Sequence, residues 1–372
     1  MTHDTAVAEA VLLVGFGGPE GPEDVVPFLE RVTRGRGIPR ERLVEVGAHY
    51  AHFGGVSPLN EQNAELRAAL EGALRERDVL VPVALGNRNW PPLLPDVLTG
   101  LAEAGARRVV AVLTAAYSSY SGCRQYRENL ADASAAALEA GHDVALVKLP
   151  PYYDRAGFLE PLAEGVLVAL DQLRDEHGAD VAEQAHLVFS THSVPLASAA
   201  ASGPPGRFDP ATGGAYVAQH RWVAEQVVAA VQAVSGEQHP WELVYQSRSG
   251  PPGQPWLEPD VGDRLVELAG QGAPAVVVVP LGFLSDHVEV QWDIDVVAAE
   301  AAAKAGLPMV RSATVGTDAR FVAMLADLVV EALGGAPGPP SLAPWGAMPA
   351  PCAAGCCANP RAVRPAACEE PS

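Results

Sequence analysis

Nowhere along the 372 residues does an apolar run approach the roughly 20 positions that a membrane helix needs. Met1 to Ala10 hold Asp4 and Glu9 but no Lys or Arg, so the basic start of a secretory leader is missing too, and a cytosolic protein is expected. No stripe of Lys or Arg interrupts a formal net charge of −20, which disfavours nucleic acid and anionic membranes and suits a cationic substrate. Cysteine is scarce in the body, where Cys123 stands alone, and the other thiols, Cys352, Cys356, Cys357 and Cys368, crowd the C-terminal end. Disulfide stapling of a large cytosolic core is therefore excluded. The stretch Gly15-Phe-Gly-Gly-Pro19 lacks the last glycine of a dinucleotide fingerprint, and Pro19 removes an amide that a phosphate needs.

What is present predicts an α/β protein. The length suits two domains of roughly 100–200 residues each. Short β-branched runs alternate with longer helical patterns, as in strand-helix-strand units around parallel sheets. Strands are expected at Val11 to Gly15, Val79 to Ala84, Val109 to Leu113, Asp143 to Lys148, Leu187 to Ser190, Glu242 to Gln246, Val276 to Pro280 and Met309 to Ser312. Gly105-Ala106 precedes Val109-Val110 at the spacing at which Gly272-Ala273 precedes Val276-Val277, and aligning Pro19 with Pro195 lays Phe16 over His192. Two similar halves facing one cleft follow, over 8–155 and 156–316, then a closing helix in 317–335 and a Pro/Gly linker with a cysteine tail over 336–372. Helices are expected at Ala215 to Val234 and Asp318 to Leu333, the latter with Thr317 as N-cap and Gly334-Gly335 as its stop.

Two strand ends carry the chemistry: Phe189-Ser-Thr-His-Ser-Val-Pro195, and Leu284-Ser-Asp-His-Val-Glu289 with Asp293 and Asp295 beyond it. Ligands of open α/β sheets bind at such ends. Imidazoles and carboxylates with no nucleophile beside them suit proton removal and metal handling rather than acyl transfer. A helix starting near Ser285 puts Glu289 and Asp293 on one face, able to pass a hydrated divalent cation or accept protons; a solvated, acid-rich first turn is the plainer alternative. In Tyr245 to Pro259, Trp256 and Leu257 are expected to line or lid something flat, and His49 to Asn60 reads as an aromatic loop with a Ser-Pro helix start.

Taken together, these segments resemble the ferrochelatase family. The likeness rests on Leu12-Leu-Val-Gly-Phe-Gly-Gly-Pro19, Phe53-Gly-Gly-Val-Ser-Pro-Leu-Asn60, Phe189 to Pro195, Tyr245-Gln-Ser-Arg248, Trp256-Leu-Glu-Pro259 and Gly282 to Glu289. It implies two Rossmann-like halves, each a four-stranded parallel sheet flanked by helices, around a porphyrin cleft, and a lyase that inserts Fe(II) into porphyrin in haem biosynthesis. It makes His192 the cleft histidine that takes pyrrole protons or ligates the metal, with Glu289 opposite it across the macrocycle and Asp293 continuing a metal-handling row. A neutral imidazole and a carboxylate suit the two pyrrole protons. Val297 stands where many relatives carry a further acid, and Phe16 where some place a tyrosine, leaving Phe16 an apolar contact. For the porphyrin carboxylates the family pattern offers Arg34, Arg36, Ser57, Tyr117, Ser118, Ser119 and Tyr126, with Trp256 against the ring. Phe16 and the Tyr117 to Tyr126 segment resemble actinobacterial members, which metallate coproporphyrin III to coproheme before decarboxylation. Protoporphyrin IX is the alternative substrate, and a porphyrin or haem carrier without turnover, or an iron-sulfur sensor, the alternatives of another class. A sirohydrochlorin-type chelatase lacks the Gln246-Ser-Arg and Trp256-Leu-Glu-Pro signatures. Transient docking with the next haem-pathway enzyme is a further expectation.

Cys352, Cys356 and Cys357, with Cys123, supply four thiolates if the tail folds back, a set that holds a [2Fe-2S] cluster or zinc. Family members of high-GC Gram-positive bacteria carry a [2Fe-2S] cluster on one body cysteine and three of a C-terminal extension, so the resemblance implies the cluster here, in a stabilising or sensing role. Cys368 is the substitute if the adjacent Cys356 and Cys357 do not share one cluster.

Overall fold

The computed structural model describes residues 10–35, 37–250, 253–359 and 362–370. Arg36, Pro251 and Pro252 lie outside the described residues. Eight strands form two four-stranded parallel sheets: β1 (Ala10–Gly15), β2 (Val83–Asn87), β3 (Arg108–Leu113) and β4 (Ala145–Lys148) in the first, and β5 (His186–His192), β6 (Trp241–Gln246), β7 (Val276–Val279) and β8 (Met309–Arg311) in the second. The orders are β2-β1-β3-β4 and β6-β5-β7-β8, the same topology twice. Runs such as Ala10-Val-Leu-Leu-Val-Gly15 and Val276-Val-Val-Val279 are buried along their whole length, as parallel strands covered on both faces must be.

One apolar core joins the halves. Val11, Leu13, Val110 and Val112 of the first sheet share it with Leu187, Phe189, Val277 and Val279 of the second, through the helices Ala156–His177, Gly214–Ser235 and Ala319–Ala332. The outer face of each sheet has its own cluster, around Leu12, Val14 and Val109 in one half and Val188, Val244 and Val278 in the other.

Four local expectations shift. β2 lies at Val83–Asn87 rather than 79–84, because the Val79 amide closes the helix Leu59–Arg75 by bonding the Leu74 carbonyl at 2.9 Å, leaving the chain to enter the sheet later. The helix Ala319–Ala332 is capped by Asp318, not Thr317, since the Asp318 carboxylate accepts the Arg320 amide. The helix expected from Ser285 starts at Val288, with His287 as N-cap, and widens into a π-helical stretch over Gln291–Ala298. His49 to His52, read as loop, end the helix Arg40–His52.

Candidate active site

His192 closes β5, and the peptide that follows it is held from both sides. The Ser193 amide donates to the Gln246 carbonyl at 2.7 Å, and the Tyr216 hydroxyl donates to the His192 carbonyl at 2.7 Å. The ring Nδ1 lies 2.5 Å from the Ser193 carbonyl, which only accepts, so Nδ1 carries the proton and Nε2 keeps the lone pair. Nε2 sits 3.8 Å from Oε2 of Glu289. Asp293, one turn beyond Glu289, accepts from the Ser247 hydroxyl and, at 3.5 Å, from the Gln246 amide. Burial first, then the neighbouring Glu289 charge, push Asp293 up to about 6 against the pull of Ser247.

This geometry corrects the expectation that Glu289 lies across the macrocycle from His192. Both project from the C-terminal half, after β5 and β7. A flat ring between them needs contact of about 3.5 Å on each face, roughly twice the gap observed. Imidazole and carboxylate form one wall. The N-terminal half meets that wall through an apolar cluster in which Phe16 packs with Val25, Phe28, Tyr50, Trp90 and Val288, the residue before Glu289. His49 stacks on Trp292 with ring centroids 4.1 Å apart, and the Glu289 charge is felt at both His49 and Tyr50. His287 is held neutral chiefly by burial, with its pKa below the ordinary imidazole value. Tyr216 and Trp292 were not singled out from the sequence, and His49, Tyr50 and Ser247 were read only as members of the His49 to Asn60 and Tyr245 to Arg248 segments, with no role of their own. The signal for Tyr216 was there, as a polar residue on the stripe that Val223 and Val227 continue.

The remaining expected contacts separate. Arg34 is exposed beyond the helix Val25–Val32. Ser57 is buried, with its amide on the Pro19 carbonyl at 2.9 Å and its side chain against Gly18. Tyr117 lies in the core between the halves, its hydroxyl donating to the Leu281 carbonyl at 3.1 Å and its ring stacked on His220. Ser118 exchanges hydrogen bonds with Gln219, Ser119 caps the turn at Gly122, and Tyr126 is buried under the Arg88 guanidinium. Each of these hydroxyl-bearing residues has a partner within the protein. Trp256 is half-buried and bridges to Pro195 beside His192; its Nε1 is buried without an acceptor among the described residues. Val297 lines an outer apolar groove of about 500 Å³ with Val266, Trp292 and Val296.

The tail folds back onto the body. Trp345 Nε1 donates to the Tyr153 hydroxyl at 2.6 Å, Arg127 Nε donates to the Ala367 carbonyl at 2.9 Å, and Arg124 pairs with Glu369 at 2.6 Å. Cys123, Cys352, Cys356 and Cys357 form a buried ring in which each thiol meets two of the others. Sγ of Cys356 and Cys357 are 3.8 Å apart, near the edge of a tetrahedron with metal-sulfur bonds of about 2.3 Å. Cys357 adopts a positive φ of 54°, which lets adjacent residues face one point. Among the described residues, no three His, Cys, Asp or Glu side chains have the spacing of a ready-made single-ion site. The Gly203 amide donates to Cys357 Sγ at 3.2 Å, and hydrogen bonds from Cys123 and Cys356, then the charges of Lys148 and Arg127, favour the thiolate of Cys352. Cys368 stands apart, bonding the Leu146 carbonyl at 3.4 Å, so the geometry favours Cys356 and Cys357 together over the substitute.

Two four-stranded parallel sheets of the same topology, with His192, Glu289 and Asp293 gathered at strand ends of the second, give an α/β protein whose candidate site can hold protons and a cation. The ferrochelatase family model matches residues 8–333, and the chain belongs to the ferrochelatase family. The coproporphyrin III ferrochelatase of Streptomyces coelicolor is 51% identical over 369 residues, covering 98% of this chain and 96% of that protein. That of Frankia alni is 53% identical over 360 residues, covering 97% and 89%. Among solved structures, the sirohydrochlorin chelatase SirB from Bacillus subtilis subspecies spizizenii aligns with a TM-score of 0.46 at 12% identity, covering 86% of this chain and 94% of that one.

Proposed function

We propose that this protein inserts Fe(II) into coproporphyrin III to give coproheme, a lyase reaction of haem biosynthesis. The observation that carries the reading is the row His192, Glu289 and Asp293 on one wall, in a chain whose relatives at 51% and 53% identity are coproporphyrin III ferrochelatases. The macrocycle lies with one face toward this wall and the other toward Phe16. The ring gives up two N–H protons as the metal enters: Nε2 of His192, left basic by the Nδ1 bond to Ser193, accepts one, and the Glu289 carboxylate, 3.8 Å from that Nε2, accepts the other. Asp293 and Glu289 exchange the hydration of the incoming Fe(II) and pass it to the ring nitrogens. Trp256, against Pro195, closes the His192 side of the site.

The thiol ring fits a [2Fe-2S] cluster through its four soft donors, the amide donated to Cys357 and the adjacent cations. When bound, the cluster supplies covalent Fe-S links between Cys123 of the body and the tail. No helix among the described residues is long and apolar enough to cross a membrane. A cytoplasmic location and transient docking with the next enzyme of the pathway complete this reading.

Anaerobic Fe(II) incorporation, followed in parallel with coproporphyrin III and protoporphyrin IX, tests the substrate. Faster incorporation into coproporphyrin III is expected. Preference for protoporphyrin IX would reassign the substrate, and no incorporation into either would make the protein a carrier.

A further inference from the structure

Two buried cations, Arg127 and Lys148, stand beside the thiol ring, 0% and 3% exposed. Among the described residues neither has a carboxylate within hydrogen-bonding distance. Arg127 lies one helical turn beyond Cys123, on the same side of the chain's path from the turn Tyr120–Arg124 into the helix Gln125–Glu139. Its Nε donates to the Ala367 carbonyl at 2.9 Å, whereas Nη1 and Nη2 are buried with no acceptor among the described residues. The Glu369 carboxylate stands 3.7 Å from Nη2, and its Oε1 already accepts from Arg124 at 2.6 Å and from the Gly355 amide at 2.9 Å. Lys148 Nζ donates to the Leu149 carbonyl, which brings no charge. After its two neighbouring thiols, Cys352 feels the charges of Lys148 and Arg127.

We infer that Arg127 is the counter-ion and hydrogen-bond donor of the cluster proposed above. The inference rests on that cluster reading. A buried charge is costly unless an opposite charge meets it, and four neutral thiols bring none. A [2Fe-2S] centre on four thiolates is a dianion when oxidised, its ferric ions set against sulfides and thiolates, and a trianion after uptake of one electron. The two cations match the first state and favour the second. Both Nη atoms of Arg127, forked and without acceptors, are suitable donors to sulfur. The reduction potential is thereby raised above that of the same ring without Arg127. Anchoring of the tail does not account for the arrangement, because Ala367 is held by Nε and, through its amide, by the Arg127 carbonyl, and neither bond uses an Nη atom.

The test uses the full-length protein purified anaerobically. Iron, sulfide and zinc are measured in the wild type first; then the cluster is reduced by dithionite at controlled potential and followed by absorption and EPR. Arg127→Gln puts an amide nitrogen where Nε stood and removes the charge. It is expected to lower the ratio of reduced to oxidised cluster at the wild-type midpoint about tenfold, a fall of about 59 mV. Glu369→Gln, which removes a negative charge beside Arg127, is expected to shift the potential upward. A purely structural anchor does not give shifts of opposite sign. If Arg127→Gln carries no cluster, Arg127→Lys decides: iron and sulfide retained with the charge uphold the inference, and their loss despite the charge overturns it. No fall in Arg127→Gln, or a fall shared by Glu369→Gln, overturns it too. A wild type that holds zinc or no metal rejects the cluster reading and the inference with it, an outcome that the first metal analysis separates from the others.

Discussion

His192 Nε2 and Glu289 Oε2 approach to 3.8 Å from strand ends of the same sheet. A base and an acid so placed act on one face of a flat ligand. The proton leaves the ring toward the side chain pair that also meets the cation, and the opposite face is left to apolar contact from the Phe16 side.

His192→Ala and Glu289→Gln should therefore both cripple insertion while leaving porphyrin bound. Loss of a general base costs about 10²–10⁴ in rate, and His192→Ala should lie in that range, with Glu289→Gln milder. Soret-band kinetics give the rates and fluorescence quenching the affinity. A porphyrin Kd that weakens in step with the rate contradicts the assignment.

Asp293 imposes a pH dependence whose sign is fixed. Its carboxyl, raised to about 6, keeps a proton in the folded state that the unfolded chain has already released, so stability falls as pH rises from about 4 to about 6. Asp293→Asn should be more stable than wild type above that window, by on the order of 2 kcal/mol, and no more stable below it. In wild type, insertion should climb through pH about 6 as the carboxylate forms; Asp293→Asn should lose that limb. Chemical denaturation and rate profiles over the same pH range check both.

The thiol ring makes a sharper distinction among the cysteines. Serine at Cys123, Cys352, Cys356 or Cys357 should abolish the visible spectrum and bound iron of freshly purified protein and expose 336–370 to protease. Cys368→Ser should keep both, since its sulfur bonds the Leu146 carbonyl outside the ring. Absorption spectra with iron analysis decide it.

Gly282 lies where a side chain would collide with β5. An added Cβ would overlap the Thr191 hydroxyl and fall 2.7 Å from the Thr191 Cβ. Gly282→Ala should cost about 1–3 kcal/mol from overpacking and lower kcat by displacing the strand end that carries His192. Thermal unfolding and insertion kinetics are the measures.

The parallel sheets were legible because buried central strands read as unbroken β-branched runs, Val276 to Val279 being the plainest. β2 was misplaced because Val79 to Val81 have the same composition but precede the sheet, with Val79 closing the helix before it. The motif residues His192, Glu289 and Asp293 were legible as chemistry, yet their shared wall was not, since no local pattern tells which side of a cleft a strand end faces. The Tyr117 to Tyr126 segment was read as a ligand rim from its hydroxyls and aromatics, which serve equally in a buried interface; the partners that place Tyr117 in the core, the Leu281 carbonyl and the His220 ring, are distant in sequence and left no local signal. His220 itself passed unnoticed on an otherwise apolar helix stripe.

The most direct test of the central claim is the structure of the protein with coproporphyrin III bound. The imidazole of His192 and the carboxylate of Glu289 should meet the same face of the macrocycle, with Phe16 toward the other. A macrocycle lying between His192 and Glu289, or bound away from both, would contradict it.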